Sequence, residues 1–295
     1  MMSRDMGFSK QLRALTIAGF DPSGRAGVLA DARTFAAFDY RASAAITSIT
    51  FQNDLRATGA VHQSAATISS QVSSLLEQFQ FACAKTGMLP TRAVVHEVAR
   101  LFCESELPAP VVDPVMVSSS GMRLMEEDAL EVFMTDMLPV ARLVTPNIPE
   151  AEALSGLTIT SEAAMLEAAK IIRGLGAHAV LIKGGHLEEQ KAEGSRQKAE
   201  GSKRGSSPTV REGFVTTAHY GSNEAIDVLD DDGEVTVFRA EFIHGAKLHG
   251  SGCILSAAIA AGLGKGMALQ DSVQSAKDFV LHALRDARQS QNRER

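Results

Sequence analysis

The segment HGSGCILSAAIAA, residues His249–Ala261, joins a glycine-rich turn to a run of small apolar residues. Two glycines, Gly250 and Gly252, flank Ser251 just before the predicted helix. Glycines at such a junction let the backbone approach a ligand, and the first N–H groups of a helix, with its dipole, favour an anion such as phosphate. The alternative is purely structural, in which the small residues serve close helix packing.

The next residue, Cys253, stands in the first turn of this helix. The pKa of a thiol falls at a helix N-terminus, so Cys253 is a candidate proton acceptor beside the predicted anion site.

Outward from this segment, short β-like runs alternate with longer helical runs. This alternation predicts an α/β protein with a mostly parallel sheet covered by helices on both faces. The predicted strands are 15–19, 44–51, 111–113, 142–145 and 179–182, and the predicted helices are 26–38, 64–81, 94–102, 163–175, 253–263 and 270–288. Residues 225–238 predict a hairpin whose acidic turn, 230–233, is more typical of solvated aspartates than of a metal site.

Polar residues follow three of the predicted strands. Asp113 follows Val111–Val112, Lys183 follows the 179–182 strand, and Asn147 and Glu150 begin the helix after 142–145. Ligands collect at the carboxyl ends of parallel strands, and Mg²⁺ needs only one or two carboxylates besides nucleotide phosphates. Each residue also has a structural interpretation: Asn147 and Glu150 have the spacing of a capping box, and either other charge could be a solvated strand terminus.

The loop GFDPSGRAG, residues 19–27, is a second glycine-rich turn, directly after the first predicted strand. It has the G-x4-G spacing of a Walker loop but continues as Arg25-Ala26, and it lacks the G-x-G-x-x-G dinucleotide pattern. Both of these interpretations fail, and a Rossmann oxidoreductase is disfavoured. The loop could instead close over a substrate, with Asp31 one turn into the following helix.

Composition excludes several classes of protein. The chain has 295 residues, 45% of them apolar, and its 29 basic and 35 acidic residues give a net charge of −6, which argues against nucleic-acid binding. No apolar run has the length of a membrane span, and the N-terminus has no signal-peptide core. Three scattered cysteines argue against a disulfide framework, so a reduced, cytoplasmic protein is expected.

Residues 188–212 break the alternating pattern. They are polar, of mixed charge, and repeat KAEGS from Lys191 and from Lys198. This composition predicts a flexible surface insertion rather than a partner-binding arm.

Taken together and in this order, the motifs resemble the ribokinase-like superfamily, and within it the hydroxymethylpyrimidine/phosphomethylpyrimidine kinase branch of thiamine biosynthesis. The resemblance implies one kinase domain over residues 13–288, with a three-layer α/β/α ribokinase-like fold, the insertion apart. The matching segments are LTIAGFDPSGRAG (15–27), ITSITFQND (46–54), AKTGML (84–89), DPVMVSSSG (113–121), TPNIPEAEAL (145–154), LIKGGHL (181–187) and HGSGCILSAAIAA (249–261).

The resemblance also implies roles for individual residues in phosphoryl transfer from ATP to a pyrimidine alcohol, and then to its monophosphate. Gly250, Ser251 and Gly252 would form the anion hole, and Cys253 would be the base. The ATP-binding residues would be Lys183 and Asn147, with Mg²⁺ organised by Asn147 and Glu150 and with Asp113 nearby.

The pyrimidine pocket implied by the resemblance centres on Gln52. An amide both donates and accepts hydrogen bonds, which matches a ring nitrogen beside an exocyclic amine. Asp31 would be a second acceptor for that amine. The remaining residues implied for the pocket are Gly19, Ala26 and Met88.

Two departures from the branch affect the site. Arg25 stands where the branch usually has a second glycine, which implies a stiffer substrate loop or a phosphate contact by Arg25. Leu248 stands where the branch usually has threonine, which removes a nucleotide contact. The resemblance further implies a homodimer. The alternatives are a pyridoxal kinase, which shares the cysteine-bearing turn, and a catalytically weak nucleotide- or vitamin-binding regulator.

Overall fold

The structure, a computed structural model, describes residues 11–53, 56–118, 121–185, 224–243 and 249–293. The predicted insertion at 188–212 and the departure at Leu248 lie outside the described residues. Within the described residues, no helix combines the length and the apolar character needed to cross a membrane.

The described residues form a central nine-stranded sheet, in the order β3-β2-β1-β4-β5-β6-β7-β8-β9. The strands from β2 to β7 in this order run parallel, whereas β3, β8 and β9 pair antiparallel with their neighbours. The mostly parallel sheet predicted from the sequence is therefore confirmed. The strands are β1 Arg13–Phe20, β2 Arg41–Gln52, β3 Ala57–His62, β4 Cys83–Thr86, β5 Val111–Val112, β6 Leu143–Val144, β7 Ala179–Lys183, β8 Glu224–Asp231 and β9 Glu234–Glu241.

Eight α-helices are described. They are α1 Gly27–Ala37, α2 Ala65–Leu76, α3 Arg92–Glu104, α4 Ala129–Val132, α5 Ile148–Ser155, α6 Glu162–Gly174, α7 Ser251–Gly264 and α8 Leu269–Arg293. All but α4 correspond to predicted helices, although the helix predicted over 64–81 ends at Leu76. A π-helical turn, Phe133–Met137, and a 3-10 turn, Leu138–Val140, continue α4. Hydroxyl side chains that accept a first-turn backbone N–H fix the start of α2, α3 and α6.

The helices cover the two faces of the sheet in separate layers. Successive strand residues point to opposite faces. Val111 belongs to the buried cluster that contains Phe35 of α1 and residues of α7 and α8, whereas Val112 belongs to the cluster that contains residues of α2, α3, α5 and α6. Helix α7 is apolar almost all round, since it lies between the sheet and α8. This is the three-layer α/β/α arrangement. The domain limits 13 and 288 stay a prediction.

Ion pairs occupy the acidic turn between β8 and β9. Arg173 of α6 contacts Asp230 at 3.1 Å and the exposed Asp232 at 3.7 Å, and Arg142 contacts Asp231 at 3.0 Å. These ion pairs connect the β8–β9 hairpin to α6 and to Arg142.

The parallel strands place the functional candidates at one edge. Because β1, β2, β4, β5, β6 and β7 are parallel, their carboxyl ends meet at the same side of the sheet. The loop after β1, the end of β2 at Gln52, the polar residues after β5 and β6, and Lys183 at the end of β7 all lie there.

Candidate active site

A cavity of about 180 Å³ opens at this edge. Its wall contains eleven of the thirteen residues predicted for the site: Gly19, Ala26, Gln52, Met88, Asp113, Asn147, Glu150, Lys183, Gly250, Gly252 and Cys253. Ser251 lines an adjoining cavity, and Asp31 lies behind the wall. The structure therefore brings residues from seven separate sequence segments to one place.

The loop after β1 is folded around the carboxylate of Asp21. Its two oxygens accept hydrogen bonds from Ser23 N–H and Oγ, both 2.8 Å, and from Ala26 N–H, 2.9 Å. Burial alone would raise the pKa of Asp21, but a hydrogen bond from Gln52 and those from the loop hold that pKa below its usual value. The side chain of Asp21 thus fixes the loop and ties it to the end of β2.

Gly250 lets helix α7 begin directly against this loop. It has φ +78°, and a Cβ on it would lie 2.0 Å from the carbonyl oxygen of Arg25. The first helical bond runs from Ile254 N–H to the Gly250 carbonyl at 3.0 Å. The N–H groups of Ser251, Gly252 and Cys253 therefore precede the helical ladder and can meet an anion.

The N-terminus of α7 faces a buried ion pair. Lys183 Nζ contacts Asp113 Oδ1 at 2.8 Å, and a Cβ on Gly252 would lie 3.2 Å from that Nζ. Although burial opposes both charges, Lys183 lowers the pKa of Asp113, and Asp113 with Glu150 raises the pKa of Lys183. Both groups are therefore charged at neutral pH, and the ammonium lies close to the helix start.

Asn147 and Glu150 form the predicted capping box at the start of α5. Asn147 Oδ1 accepts from Glu150 N–H, and Glu150 Oε2 accepts from Asn147 N–H, both at 2.9 Å. The structural interpretation is thus correct, yet both residues also line the cavity. Burial raises the pKa of Glu150 to about 7, with Lys183 opposing and Asp113 reinforcing the shift. A cation near Glu150 and Asp113 would favour the ionised form.

Cys253 lies in the third position of α7, where its sulfur accepts a hydrogen bond from Gly27 N–H. The expectation of a lowered thiol pKa is wrong for this site. Burial raises the pKa of Cys253 to about 11; Lys85 and the Gly27 N–H oppose this shift, and Asp31 and Asp113 reinforce it. The helix N-terminus does not compensate for a desolvated, carboxylate-rich surrounding.

The side of the cavity next to β1 and β2 combines an apolar contact with an amide side chain. Met88 packs against Gly19, where a Cβ would lie 3.1 Å from the Met88 sulfur. Gln52 ends β2, and its hydrogen bond to Asp21 orients the amide in the cavity wall. An apolar wall beside an oriented amide suits a planar heteroaromatic ring.

Asp31 does not line the cavity, which differs from the prediction that it contacts the substrate amine. It is fully buried in α1, accepts from Thr16 Oγ1 at 2.6 Å, and receives Lys85 Nζ at 2.9 Å on each carboxylate oxygen. Lys85 of β4 does form part of the wall. Sequence reasoning missed Lys85, although it lies within the AKTGML segment.

A second cavity of about 400 Å³ adjoins the first. The two cavities share Asn147, Lys183 and Gly252. The remaining wall of the second cavity includes Ser251, apolar residues of α8, and Asp227 paired with Lys277. The shared boundary is therefore the N-terminus of α7 with the Lys183 ammonium.

The residues at this boundary fit a magnesium ion bound mainly through a nucleotide. Asp113, Asn147 and Glu150 offer hard oxygen donors. Within the described residues, no three His, Cys, Asp or Glu side chains group closely enough to hold a metal by themselves. Such a site suits Mg²⁺, which keeps several waters and takes one or two carboxylates plus phosphates.

Comparisons with known proteins agree with this arrangement. The family described as Phosphomethylpyrimidine kinase matches residues 21–294. A hydroxymethylpyrimidine/phosphomethylpyrimidine kinase of Rhizobium meliloti is 36% identical over 274 residues, covering 92% of this chain and 89% of the relative.

Two solved structures have the same fold. A phosphomethylpyrimidine kinase of Clostridium difficile 630 superposes with a TM-score of 0.73 at 29% identity, covering 93% of this chain and all of the other. A pyridoxal kinase of Bacillus subtilis in complex with ADP gives a TM-score of 0.73 at 30% identity, covering 91% of this chain and 90% of the other.

Proposed function

Since this chain belongs to the phosphomethylpyrimidine kinase family, we propose that it transfers the γ-phosphoryl group of ATP first to the hydroxymethyl group of 4-amino-5-hydroxymethyl-2-methylpyrimidine and then to the monophosphate so formed, in thiamine biosynthesis. The observation that carries the proposal is the meeting of two cavities at the start of α7. One has an oriented amide and an apolar wall, and the other is large enough for a nucleotide. A group passing between them must cross the helix N-terminus and Lys183.

The residues supply positioning and charge rather than covalent chemistry, as phosphoryl transfer requires. The N–H groups of Ser251, Gly252 and Cys253 bind the oxygens of the migrating group, and Lys183 neutralises charge on the nucleotide phosphates. Asn147 and Glu150, with Asp113 nearby, hold Mg²⁺, which screens the phosphate charge when bound. The thiolate form of Cys253 accepts the hydroxyl proton as the alcohol oxygen attacks.

Gln52 orients the pyrimidine in this proposal. With one amide N–H directed at Asp21, its carbonyl oxygen and second N–H can pair with the exocyclic amine and the neighbouring ring nitrogen. Gly19, Ala26 and Met88 line the ring. Asp31 does not contact the pyrimidine, because it lies behind the cavity wall, where it pairs with Lys85.

A substrate panel tests the function. With ATP and Mg²⁺, we expect coupled ADP release with hydroxymethylpyrimidine and with its monophosphate, and kcat/KM values lower with pyridoxal and lower still with ribose. Fastest turnover of pyridoxal would identify a pyridoxal kinase instead, like the Bacillus subtilis protein of the same fold. Tight binding of the pyrimidine without ADP release would identify a binding regulator.

Replacing Glu150 by glutamine is expected to raise the Mg²⁺ concentration needed for half-maximal rate by about 10- to 100-fold, in both transfers. Because the pKa of Glu150 is raised to about 7, the carboxylate gains charge between pH 6 and 8. The Mg²⁺ requirement of the unmodified enzyme should therefore fall across that range, and that of the variant should fall less. Initial rates in Mg²⁺ titrations at fixed ATP measure both effects.

The matched control is Glu167→Gln, since Glu167 is an exposed acid on α6 away from the cavity. Its Mg²⁺ titration should coincide with that of the unmodified enzyme. Unchanged titrations for Glu150→Gln would remove Glu150 from the metal site.

The proposal includes a homodimer, which the edge of the sheet supports. Ile49 and Phe51 of β2 and Val61 of β3 are large apolar side chains about half exposed, and such a patch is typical of an interface. We expect sedimentation to give a dimer that Ile49→Glu/Val61→Glu converts to monomer. A monomeric unmodified protein would exclude the dimer.

A cytoplasmic location is supported by the free thiols of Cys83, Cys103 and Cys253.

A further inference from the structure

Lys85 is a charged side chain that the proposed function leaves without a role. It lies in β4 and is fully buried, yet it forms part of the wall of the cavity that we assign to the pyrimidine. Its ammonium contacts both oxygens of Asp31 at 2.9 Å, and Thr16 holds Asp31 from the other side at 2.6 Å. The inference that follows rests on the proposed function.

The pair leaves one donor of the ammonium for a group in the cavity. An ammonium has three N–H groups, and the two hydrogen bonds that Lys85 makes within the described residues both go to Asp31. A Cβ on Gly87 would lie 3.0 Å from Lys85 Nζ, so the missing side chain there leaves room beside the ammonium. Gly87 itself lines the cavity.

The surroundings keep this group charged. Burial opposes the charge, but Asp31, Cys253 and Asp113 raise the pKa of Lys85. The ammonium is therefore a fixed cation on the acceptor side of the site, separate from Lys183, which lies at the boundary with the second cavity.

We propose that Lys85 stabilises the negative charge that develops on the hydroxymethyl oxygen during the first transfer. In that step the O–H bond breaks and its proton goes to the Cys253 thiolate. The oxygen forms a bond to the γ-phosphorus as the bond from that phosphorus to the bridging oxygen breaks, and ADP leaves with the electron pair. Lys85 keeps its proton throughout and acts by charge alone.

The two transfers respond differently to such a cation. The alcohol is neutral in the ground state, so a group that stabilises only the developing charge acts on kcat and leaves KM unchanged. The monophosphate carries its charge before the reaction, so the same cation also contributes to binding. Loss of Lys85 should therefore lower kcat with the alcohol and raise KM with the monophosphate. A merely structural role would not separate the acceptors in this way.

The experiment compares Lys85→Met with Lys85→Met/Asp31→Asn. The single variant leaves a buried unpaired carboxylate that endangers folding, whereas the double variant removes both charges and keeps the acceptor for Thr16. Gly87→Ala retains both charges and moves the ammonium. Lys265→Met is the matched control, since Lys265 is an exposed lysine beyond the end of α7. Circular dichroism and thermal melting check the fold of each variant.

With the alcohol, we expect kcat to fall about 10²–10³-fold in the double variant and about 10-fold in Gly87→Ala, with KM within about threefold. With the monophosphate, KM should rise at least about 10-fold. A folded double variant or Gly87→Ala variant with unchanged kcat on the alcohol would overturn the role of Lys85, as would equal losses with both acceptors. Failure of the unmodified enzyme to phosphorylate the alcohol would instead overturn the proposed function, and this inference with it.

Discussion

Replacing Cys253 by alanine is expected to slow transfer to the alcohol by about 10²–10⁴-fold and to slow transfer to the monophosphate much less. The alcohol must lose a proton as it attacks, whereas the phosphate acceptor is already ionised. Steady-state rates with the two acceptors, measured in the same preparation, check the difference. Equal losses would remove Cys253 as the base.

The pH dependence sharpens this test. Since burial raises the pKa of Cys253 to about 11, the thiolate fraction increases as pH rises toward that value. The rate of the first transfer should therefore increase between pH 7 and 9 relative to the second, and Cys253→Ala should abolish the difference. Cys103→Ala is the control, because Cys103 is an exposed cysteine on α3 and its loss should change neither rate.

Replacing Gly250 by alanine is expected to lower both transfers by about 10²-fold or more, because the added Cβ would lie 2.0 Å from the Arg25 carbonyl oxygen. Either the loop or the start of α7 must move, and a shift of about 1 Å in a positioning group costs about that factor. The left-handed backbone adds roughly 1–2 kcal/mol of strain. Initial rates and denaturant unfolding measure the two effects.

Gly266→Ala is the control that separates the effect of backbone strain from the effect of the clash with Arg25. Gly266 has φ +80°, nearly that of Gly250, but nothing lies within 4 Å of an added Cβ. It should lose stability by a similar strain and keep its rates. Wild-type rates in Gly250→Ala would show that the junction of loop and helix does not position the reacting groups.

Most of the site is predictable from sequence because its residues follow short apolar strands. Asp113 comes directly after such a strand and Lys183 is the last residue of another, and a parallel sheet necessarily gathers strand ends at one edge. The glycine turn at Gly250 is also predictable from the sequence, because two glycines directly before an apolar helix indicate a close backbone approach. The capping box of Asn147 and Glu150 is likewise a matter of local spacing.

Strand β4 and the burial of Lys85 could not be predicted from the sequence. The sequence Cys83–Thr86 is short and contains a charge, so nothing marks it as a central strand. Lys85 is buried there only because Asp31, from a helix far away in sequence, meets it. Pairing of this kind is a tertiary property, and the same contact removes Asp31 from the cavity in which the resemblance places it.

The prediction of a lowered pKa for Cys253 fails for a related reason. The helix position is visible in the sequence, but the two carboxylates and the burial that raise the thiol pKa come from other segments. The local sequence predicts the helical backbone around Cys253, but it does not predict the burial and the neighbouring charges that set the pKa of the thiol.

The contact of Gly250 with Arg25, and of Cys253 with Gly27, joins an early loop to a late helix. During synthesis the loop leaves the ribosome long before the helix, so a growing chain holds only half of the surface that we propose for phosphate binding. A chain that terminates before residue 249 lacks the whole of α7, and we expect such a chain to consume no nucleotide.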